Sequence, residues 1–501
     1  VKEVIFMGIL KNGLGSKIVT LLALGLWGFS MFLIYDNNYA TSRTVELTDV
    51  PMNDAISGEF QNWMNVVMGG AKIGYTMQSF SKSPLGYVLK DYSLIRLPMG
   101  GVVREIYLDS YAVLNVDFSL KNFTFGLVSG DYTTDVFGEV HNGRLEIKFR
   151  SQNSESKLFF DAERGIYIPS SIPLLASVRG FPKGEFQLPT FDPFSMAMNV
   201  ITVSIDSSAG KDAYSGLEDA HRLTLNISGM ASTMWVDQTG HVLREEEAGG
   251  MVMVATRMEE ALNIPDVRPD NKDLLIDLAV PCMGVISDPR TVTRLRVQID
   301  GVKPELLDLA DDFQRIVSAE PLIVEIDPGR PSASELEEPR KFLGAEPFLQ
   351  VDDPRMVAKA SEIVGQEADR QAKAEKLGQW VYRNVKKDYS ISLPSAIDVL
   401  EVRKGDCNEH TSLYVALARA SGIPAKICIG LVYKDGMFLY HAWPAVHVGG
   451  WRPLDPTFGQ NIADASHIKL LEGGFERQAD LMRVVGKIKV TIIEESYERN
   501  L

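Results

Sequence analysis

Lys404-Gly405-Asp406-Cys407-Asn408-Glu409-His410 decides how the last third of the chain is read. Asp406 and Glu409 stand three residues apart, the spacing of a capping box, in which two side chains reciprocally satisfy free backbone N–H groups at a helix start. Leu413, Ala416, Leu417 and Ala420 then supply an apolar face, and Ser421-Gly422-Ile423-Pro424 stops the run. Cys407 therefore falls in the first helical turn. There the positive end of the helix dipole and the unpaired N–H groups favour a thiolate. A cysteine so placed is a candidate nucleophile.

Two strands follow, Lys426–Tyr433 and Met437–Val448, and the second holds Tyr440-His441-Ala442-Trp443. A third, Trp451–Asp455, ends at Asp455-Pro456-Thr457. Cys407, His441 and Asp455 thus follow one another on helix, strand and strand, as the nucleophile, base and orienting acid of a cysteine triad. The hairpin between the last two strands is constrained by that chemistry. A two-residue turn at Gly449-Gly450 would put Asp455 on the face opposite His441. A three-residue loop, Val448-Gly449-Gly450, pairs His447 with Trp451 and Ala445 with Pro453 and returns Asp455 to the face of His441. The triad demands an odd-length loop or an equivalent bulge. Upstream, Met356, Ala360, Ile363 and Val364, then Leu377, Trp380 and Val381, keep helical spacing up to about Lys387.

Other polar residues nearby have plainer readings. Cys428 sits inside a strand, with nothing to activate it. His410, one turn from Cys407, has no second ligand pair for zinc and reads as lining the helix or cleft rim. Glu409 is a cap, and Trp443 and Trp451 read as cleft wall or core.

GDCNEHTSLYVALARASGIPAKICIGLVY, FLYHAW and WRPLDPTFGQ resemble the three signature blocks of the bacterial transglutaminase-like superfamily, within the wider papain-like group, in the family's order. The resemblance covers roughly residues 345–475. It implies acyl transfer through a thioester on Cys407, with a peptide or protein amide as substrate. Water as acceptor makes a peptidase or amidase, an amine a transamidase. It implies no metal and no other cofactor, and the calcium of the animal enzymes has no loop motif here. Animal transglutaminases also place an oxyanion-binding tryptophan upstream of the nucleophile, where this sequence has Leu393.

Residues 59–262 read as an antiparallel β domain. Leu145, Ile147 and Phe149 alternate, and His141-Asn142-Gly143-Arg144 is a hairpin signal. Two more hairpins are expected around Gly69-Gly70 and Gly240. GGAKIGY and LPTFDPFSMAMNV are similar to segments of bacterial exported β domains that curl into half-barrels like lipoprotein carriers. A small β-rich segment, 272–328, a linker, 329–344, the catalytic region, 345–485, and a terminal strand or tail, 486–501, complete the division.

At the other end, Ile18–Tyr35 is an uncharged run preceded by Lys2, Lys11 and Lys17. It is long enough to span a bilayer, so residues 17–35 are expected to be a transmembrane anchor, 1–16 a cytoplasmic N-terminus and 36–58 a linker. A cleaved signal peptide ending near Ala40 is the rival reading. The expected fold class is therefore α+β: a transmembrane helix, an antiparallel half-barrel-like domain and a papain-like α+β domain. The expected location is the bacterial inner membrane, single-pass, with the bulk periplasmic and envelope peptides as substrates. A net charge of −15 with scattered Lys and Arg excludes a nucleic-acid partner. Three cysteines are too few for a disulfide scaffold. A non-catalytic envelope scaffold, gripping a lipid or partner through the β domain, is the alternative from another functional class.

Overall fold

Alternating apolar residues become strands along most of the chain's first half. The computed structural model describes residues 58–497 apart from short stretches, of which the longest are 207–216, 268–275 and 331–338; Leu47 and Met52 are also described. Fourteen antiparallel strands, from Phe60–Met68 to Met251–Thr256, form one sheet. Leu145, Ile147 and Phe149 are each 0% exposed, so one face of their strand is entirely core. The turn at Asn142-Gly143 takes positive φ at both residues and pairs His141 with Arg144, the backbone that Asn-Gly adopts at little cost. The other two expected hairpins pair Met68 with Ala71 and Val236 with Val242. The first strand pairs with the fourteenth, Trp63 opposite Thr256. The strands at the two ends of the sheet, Glu155–Asp161 and Gly184–Asp192, meet through Phe160 and Phe191, whose ring centroids lie 5.5 Å apart. The sheet curls around a single apolar core.

A second sheet of five strands is assembled from distant parts of the sequence. Lys489–Ser496 lies between Cys282–Met283 and Arg294–Asp300, followed by Leu322–Ile326 and Gln314–Ala319. Its inward residues, Leu295, Val297, Val324 and Ile326, share one core with the C-terminal region.

Among the described residues that region has helices α1 (Pro354–Val364), α2 (Arg370–Asn384), α3 (Ala396–Val402) and α4 (Cys407–Ala420). They are followed by four strands, β1 (Ala425–Lys434), β2 (Met437–His447), β3 (Trp451–Pro453) and β4 (His467–Glu472). The sheet order is β3-β2-β1-β4. Leu413, Ala416 and Leu417 of α4 are 0% exposed, and the helix packs along β2. Gln314 of the five-stranded sheet bridges to β4 as a strand would: its amide nitrogen donates to the Lys469 carbonyl at 2.8 Å and its oxygen accepts from the Lys469 N–H at 2.8 Å.

Turns of the large sheet reach the segment that leads into α4. The Tyr132 hydroxyl donates to the Lys404 carbonyl at 2.5 Å, Lys404 pairs with Asp131, and Arg104 pairs with Asp388. The Asn153 N–H donates to Asp398 at 2.9 Å, and Ser154 meets Ser395 at 2.9 Å. The large sheet thereby clamps the stretch immediately before Cys407.

Two expectations are corrected. The protein is mostly strand, 49% against 19% helix, dominated by a large antiparallel sheet, and this overturns the α+β class with a transmembrane helix. The fourteen-stranded sheet and the five-stranded sheet together outweigh the short helices of the C-terminal region. Likewise, no helix among the described residues is long and apolar enough to cross a membrane, which overturns the single-pass inner-membrane location. Ile18–Tyr35, on which that expectation rested, lies outside the described residues.

Candidate active site

Cys407 is the first residue of α4, and the expected capping box is present in full. The Asp406 side chain accepts from the Asn408 N–H at 2.8 Å, and Glu409 accepts from the Asp406 N–H at 2.7 Å. Gly405 makes this possible. At φ +150 its missing Cβ would stand 2.3 Å from the Glu409 side chain, so any larger residue would expel the capping carboxylate.

His441 lies in the middle of β2, opposite Gly430 of β1, and is 7% exposed. Its ring stacks between Phe458, at 5.2 Å and 23°, and Trp443, at 6.0 Å and 18°. Its Nε2 donates to Asp455 Oδ2 at 2.8 Å. Because Nε2 carries the proton, Nδ1 of the neutral ring keeps a lone pair. The next residue along, Ala442, directs its N–H at the Cys407 sulfur, and the Thr411 hydroxyl of α4 donates to the Ala442 carbonyl at 3.1 Å. The helix start and the histidine strand are thus bonded to each other beside the thiol.

The hairpin has the register the triad requires. Ala445 pairs with Pro453 and His447 with Trp451 across the loop Val448-Gly449-Gly450. The ladder ends at Pro453, two residues earlier than the sequence suggests. Asp455 instead closes a tight loop with Gln460, each donating its N–H to the other's carbonyl. Inside that loop Asp455 Oδ1 accepts from the Thr457 N–H at 2.6 Å and the Phe458 N–H at 3.1 Å. Burial pushes the carboxyl of Asp455 upward, but His441 and His467, by charge and hydrogen bond, outweigh it and hold the group well below the usual carboxylate range.

The thiol contradicts one expectation. Burial, then the Asp406 carboxylate, push Cys407 well above the ordinary thiol range, against the pull of the Ala442 N–H. The helix start alone does not make a thiolate here, because the residue that caps the helix brings an anion to the sulfur. Burial and that anion both favour the neutral thiol.

His467, absent from the sequence reading, is the further residue at this site. Its Nε2 donates to the same Asp455 Oδ2, at 3.1 Å, and its ring lies 5.6 Å from that of His441. Asp464, also missed, receives its other nitrogen. The only sequence signal was the three-residue spacing of Asp464 and His467 at the start of a strand.

Among the described residues, His441, Asp455 and His467 are the one group whose ligand atoms lie close enough, within 4.8 Å, to suggest a metal. The hydrogen bonding argues against it. A metal needs lone pairs, whereas both Nε2 atoms point protons at one carboxylate oxygen.

The remaining candidates are structural. His410 is 0% exposed, with its nitrogens on the Asp406 and Val385 carbonyls, so it ties α4 to the end of α2. Cys428 is 0% exposed, and burial pushes its thiol up to about 12. Cys282 is half-buried at the edge of the core. Trp443 is core and forms one wall of the His441 slot. Leu393 is buried in the core of the large sheet and brings no side-chain donor to an oxyanion.

Residues 357–456 match the Transglutaminase-like superfamily, a span that contains Cys407, His441 and Asp455 and stops short of His467. An uncharacterized protein of Haemophilus influenzae is 33% identical over 99 residues, 18% of this chain and 26% of that protein, so the match spans about a quarter of the relative's length. A candidate cysteine protease from Cytophaga hutchinsonii is similar over 40% of this chain and 86% of its own, at 16% identity and a TM-score of 0.27. A beta-barrel-like protein of domain family DUF1849 from Brucella abortus is similar over 40% of this chain and 97% of its own, at 12% identity and a TM-score of 0.31. Likenesses this slight carry no argument about mechanism.

Proposed function

Starting from a transglutaminase-like domain at residues 357–456, we propose that the protein is a cysteine enzyme that cleaves or transfers amide acyl groups through a thioester on Cys407. The observation that carries the reading is the hydrogen bond from His441 Nε2 to the buried Asp455, next to a backbone N–H directed at the sulfur. Asp455 fixes the tautomer and leaves Nδ1 as the base.

The steps follow from those assignments. Sulfur attacks the substrate carbonyl carbon as the thiol proton passes to His441 Nδ1, and the carbonyl oxygen takes the negative charge. The Cys407 backbone N–H, at the helix start, is one donor for that oxyanion. The intermediate collapses by breaking the C–N bond, and the amine leaves with the proton from His441, giving the thioester. Water then yields an acid, or an amine yields a new amide; His441 takes the acceptor's proton and returns it to the sulfur. Burial and the Asp406 charge favour the neutral thiol, so proton transfer to His441 accompanies attack. The substrate class is a peptide or protein amide.

A non-catalytic scaffold is the second reading, favoured by the raised thiol pKa. Iodoacetamide separates the two. Wild-type Cys407 is expected to be alkylated in preference to buried Cys428, with a rate that climbs above pH about 8.5, the free-thiol value. His441→Ala should slow alkylation at pH 7.5 at least about tenfold, because general-base help is lost. Peptide mapping of the adduct checks both. Equal rates with and without His441, or a Cys407 that stays unmodified while Cys282 reacts, would leave the scaffold.

A further inference from the structure

Both ring nitrogens of His467 face acceptors. Nε2 meets Asp455 Oδ2 at 3.1 Å; Nδ1 meets the Asp464 carbonyl at 3.0 Å and Asp464 Oδ1 at 3.2 Å. None of these oxygens donates, so both nitrogens must carry protons, and the ring is an imidazolium. The cation is 2% exposed, and the two carboxylates beside it are 0% and 6% exposed. Beyond Asp464 stands Arg290, whose Nη1 lies 3.0 Å from Asp464 Oδ2 and whose guanidinium covers the Phe458 ring at 4.7 Å. The charges alternate in a row: Asp455 negative, His467 positive, Asp464 negative, Arg290 positive.

His441 completes that row from the other side, on the same carboxylate oxygen. In a simple triad the whole charge of the acid supports the imidazolium that forms during attack. Here a second cation already occupies that oxygen, with its ring 5.6 Å from His441.

We propose that His467 is a positioning residue of the acyl-transfer site, a fixed cation that shares the Asp455 carboxylate with His441 and lies close enough to oppose a second positive charge beside it. The inference rests on the thioester reading above and extends it by one residue that lies beyond the family match. Burial pulls His467 down, but the charge of Asp464 and the hydrogen bonds to Asp455 and Asp464 raise it to about 9. Burial likewise raises Asp464, and His467 and Arg290 bring it down to about 2. The other charged or titratable groups facing this cluster are His441, Cys407, His410, which feels Asp455, and Lys387, whose ammonium lies over Phe458 at 5.3 Å and feels Asp455.

Two measurements on the full chain test this. The first needs no variant. With histidine ring nitrogens labelled by ¹⁵N, one of the seven histidines should stay doubly protonated through pH 8, where an ordinary ring, with pKa near 6.5, is neutral. His467→Gln should remove that signal. A ring assigned to His467 and neutral at pH 7 would overturn the proposal. The second follows Cys407 alkylation against pH in wild type and His467→Gln, which keeps a donor toward Asp455 and loses the charge. The midpoint should fall by about one pH unit, which is about a tenfold faster reaction near neutrality, because a like charge at this range is removed and Asp464 had compensated part of it. A merely structural histidine would lower reactivity without moving the midpoint, so an unmoved midpoint sinks the role of His467 and leaves the thioester reading standing. If wild-type Cys407 resists alkylation altogether, the thioester reading itself falls, and this inference with it.

Discussion

Replacing Cys407 by alanine is expected to abolish turnover of any amide substrate while leaving the fold in place. Alanine fits the first turn of a helix without strain, and the capping box on Asp406 and Glu409 does not use the sulfur. The stability change should stay within about 1 kcal/mol, since a single atom is lost from a residue that is not fully buried. Activity should fall to the uncatalysed background, because no other thiol stands beside His441. Cys428, the nearest in sequence, is 0% exposed and pairs with Trp443, two residues along β2 from His441. A time course on a peptide amide and a denaturant melt, run side by side, check both halves. Retained activity would remove the thioester mechanism. Loss of soluble protein with the wild-type enzyme also inactive would return Cys407 to a structural role.

Asp455→Asn is expected to be nearly as damaging by a different route. The asparagine oxygen can still cap the Thr457 and Phe458 N–H groups, so the loop shape survives. Its amide nitrogen would then face two imidazole N–H donors. His441 loses the partner that fixes its tautomer, and kcat should fall by about 10³–10⁴-fold, the scale seen when such an acid is neutralised. Stability should fall by about 3–5 kcal/mol, because the buried His467 cation loses one of its two carboxylates.

The pH dependence gives this variant a signature. Asp455 has a folded pKa below its unfolded value. Its stabilisation is therefore complete above pH about 3.9 and disappears only as pH falls through the lower folded value. The gap between wild type and Asp455→Asn should hold constant from pH 5 to 6 and, on the acid side, shrink only in strong acid. His467 runs the opposite way. Its folded pKa is raised, so its contribution is complete below pH about 6.5 and is lost as pH rises through about 9. Wild-type stability should decline across that alkaline window, and Asp455→Asn should show a shallower decline. Unchanged kcat in the variant would detach Asp455 from the chemistry.

How much of this could be read from residues depends on how local the physics was. The capping box was legible because its two carboxylates are three residues apart and answer each other's N–H groups. The β2–β3 register was legible because strand parity left only an odd loop or an equivalent bulge compatible with Asp455 facing His441, and Gly449-Gly450 supplied the turn. The end of β3 was not legible. Pro453 closes the ladder, and Asp455 finds Gln460 instead. The resting state of the thiol was not legible for a related reason. Helix-dipole reasoning counted the N–H groups and left out the burial of the sulfur and the charge of its own capping residue. His467 escaped because its contact with Asp455 depends on β4 lying against β1 with a register shift at Ile429/Gly430. Gly430 allows that approach: a Cβ there would stand 2.0 Å from the Ile468 carbonyl oxygen. No spacing in the sequence announces a contact set by a bulge. The five-stranded sheet was hidden in the same way, since Arg294–Asp300 pairs with Lys489–Ser496 across nearly two hundred residues.

The most direct measurement is capture of the acyl-enzyme. The full chain is mixed with an activated acyl donor such as a nitrophenyl ester, quenched in acid within seconds, and digested for peptide mass spectrometry. The account predicts one acyl group on Cys407, released by neutral hydroxylamine as a thioester is, and absent from Cys407→Ala and strongly diminished in His441→Ala. An acyl group that settles instead on surface lysines or on Cys282, with Cys407 unmodified while His441 and Asp455 are intact, would contradict it.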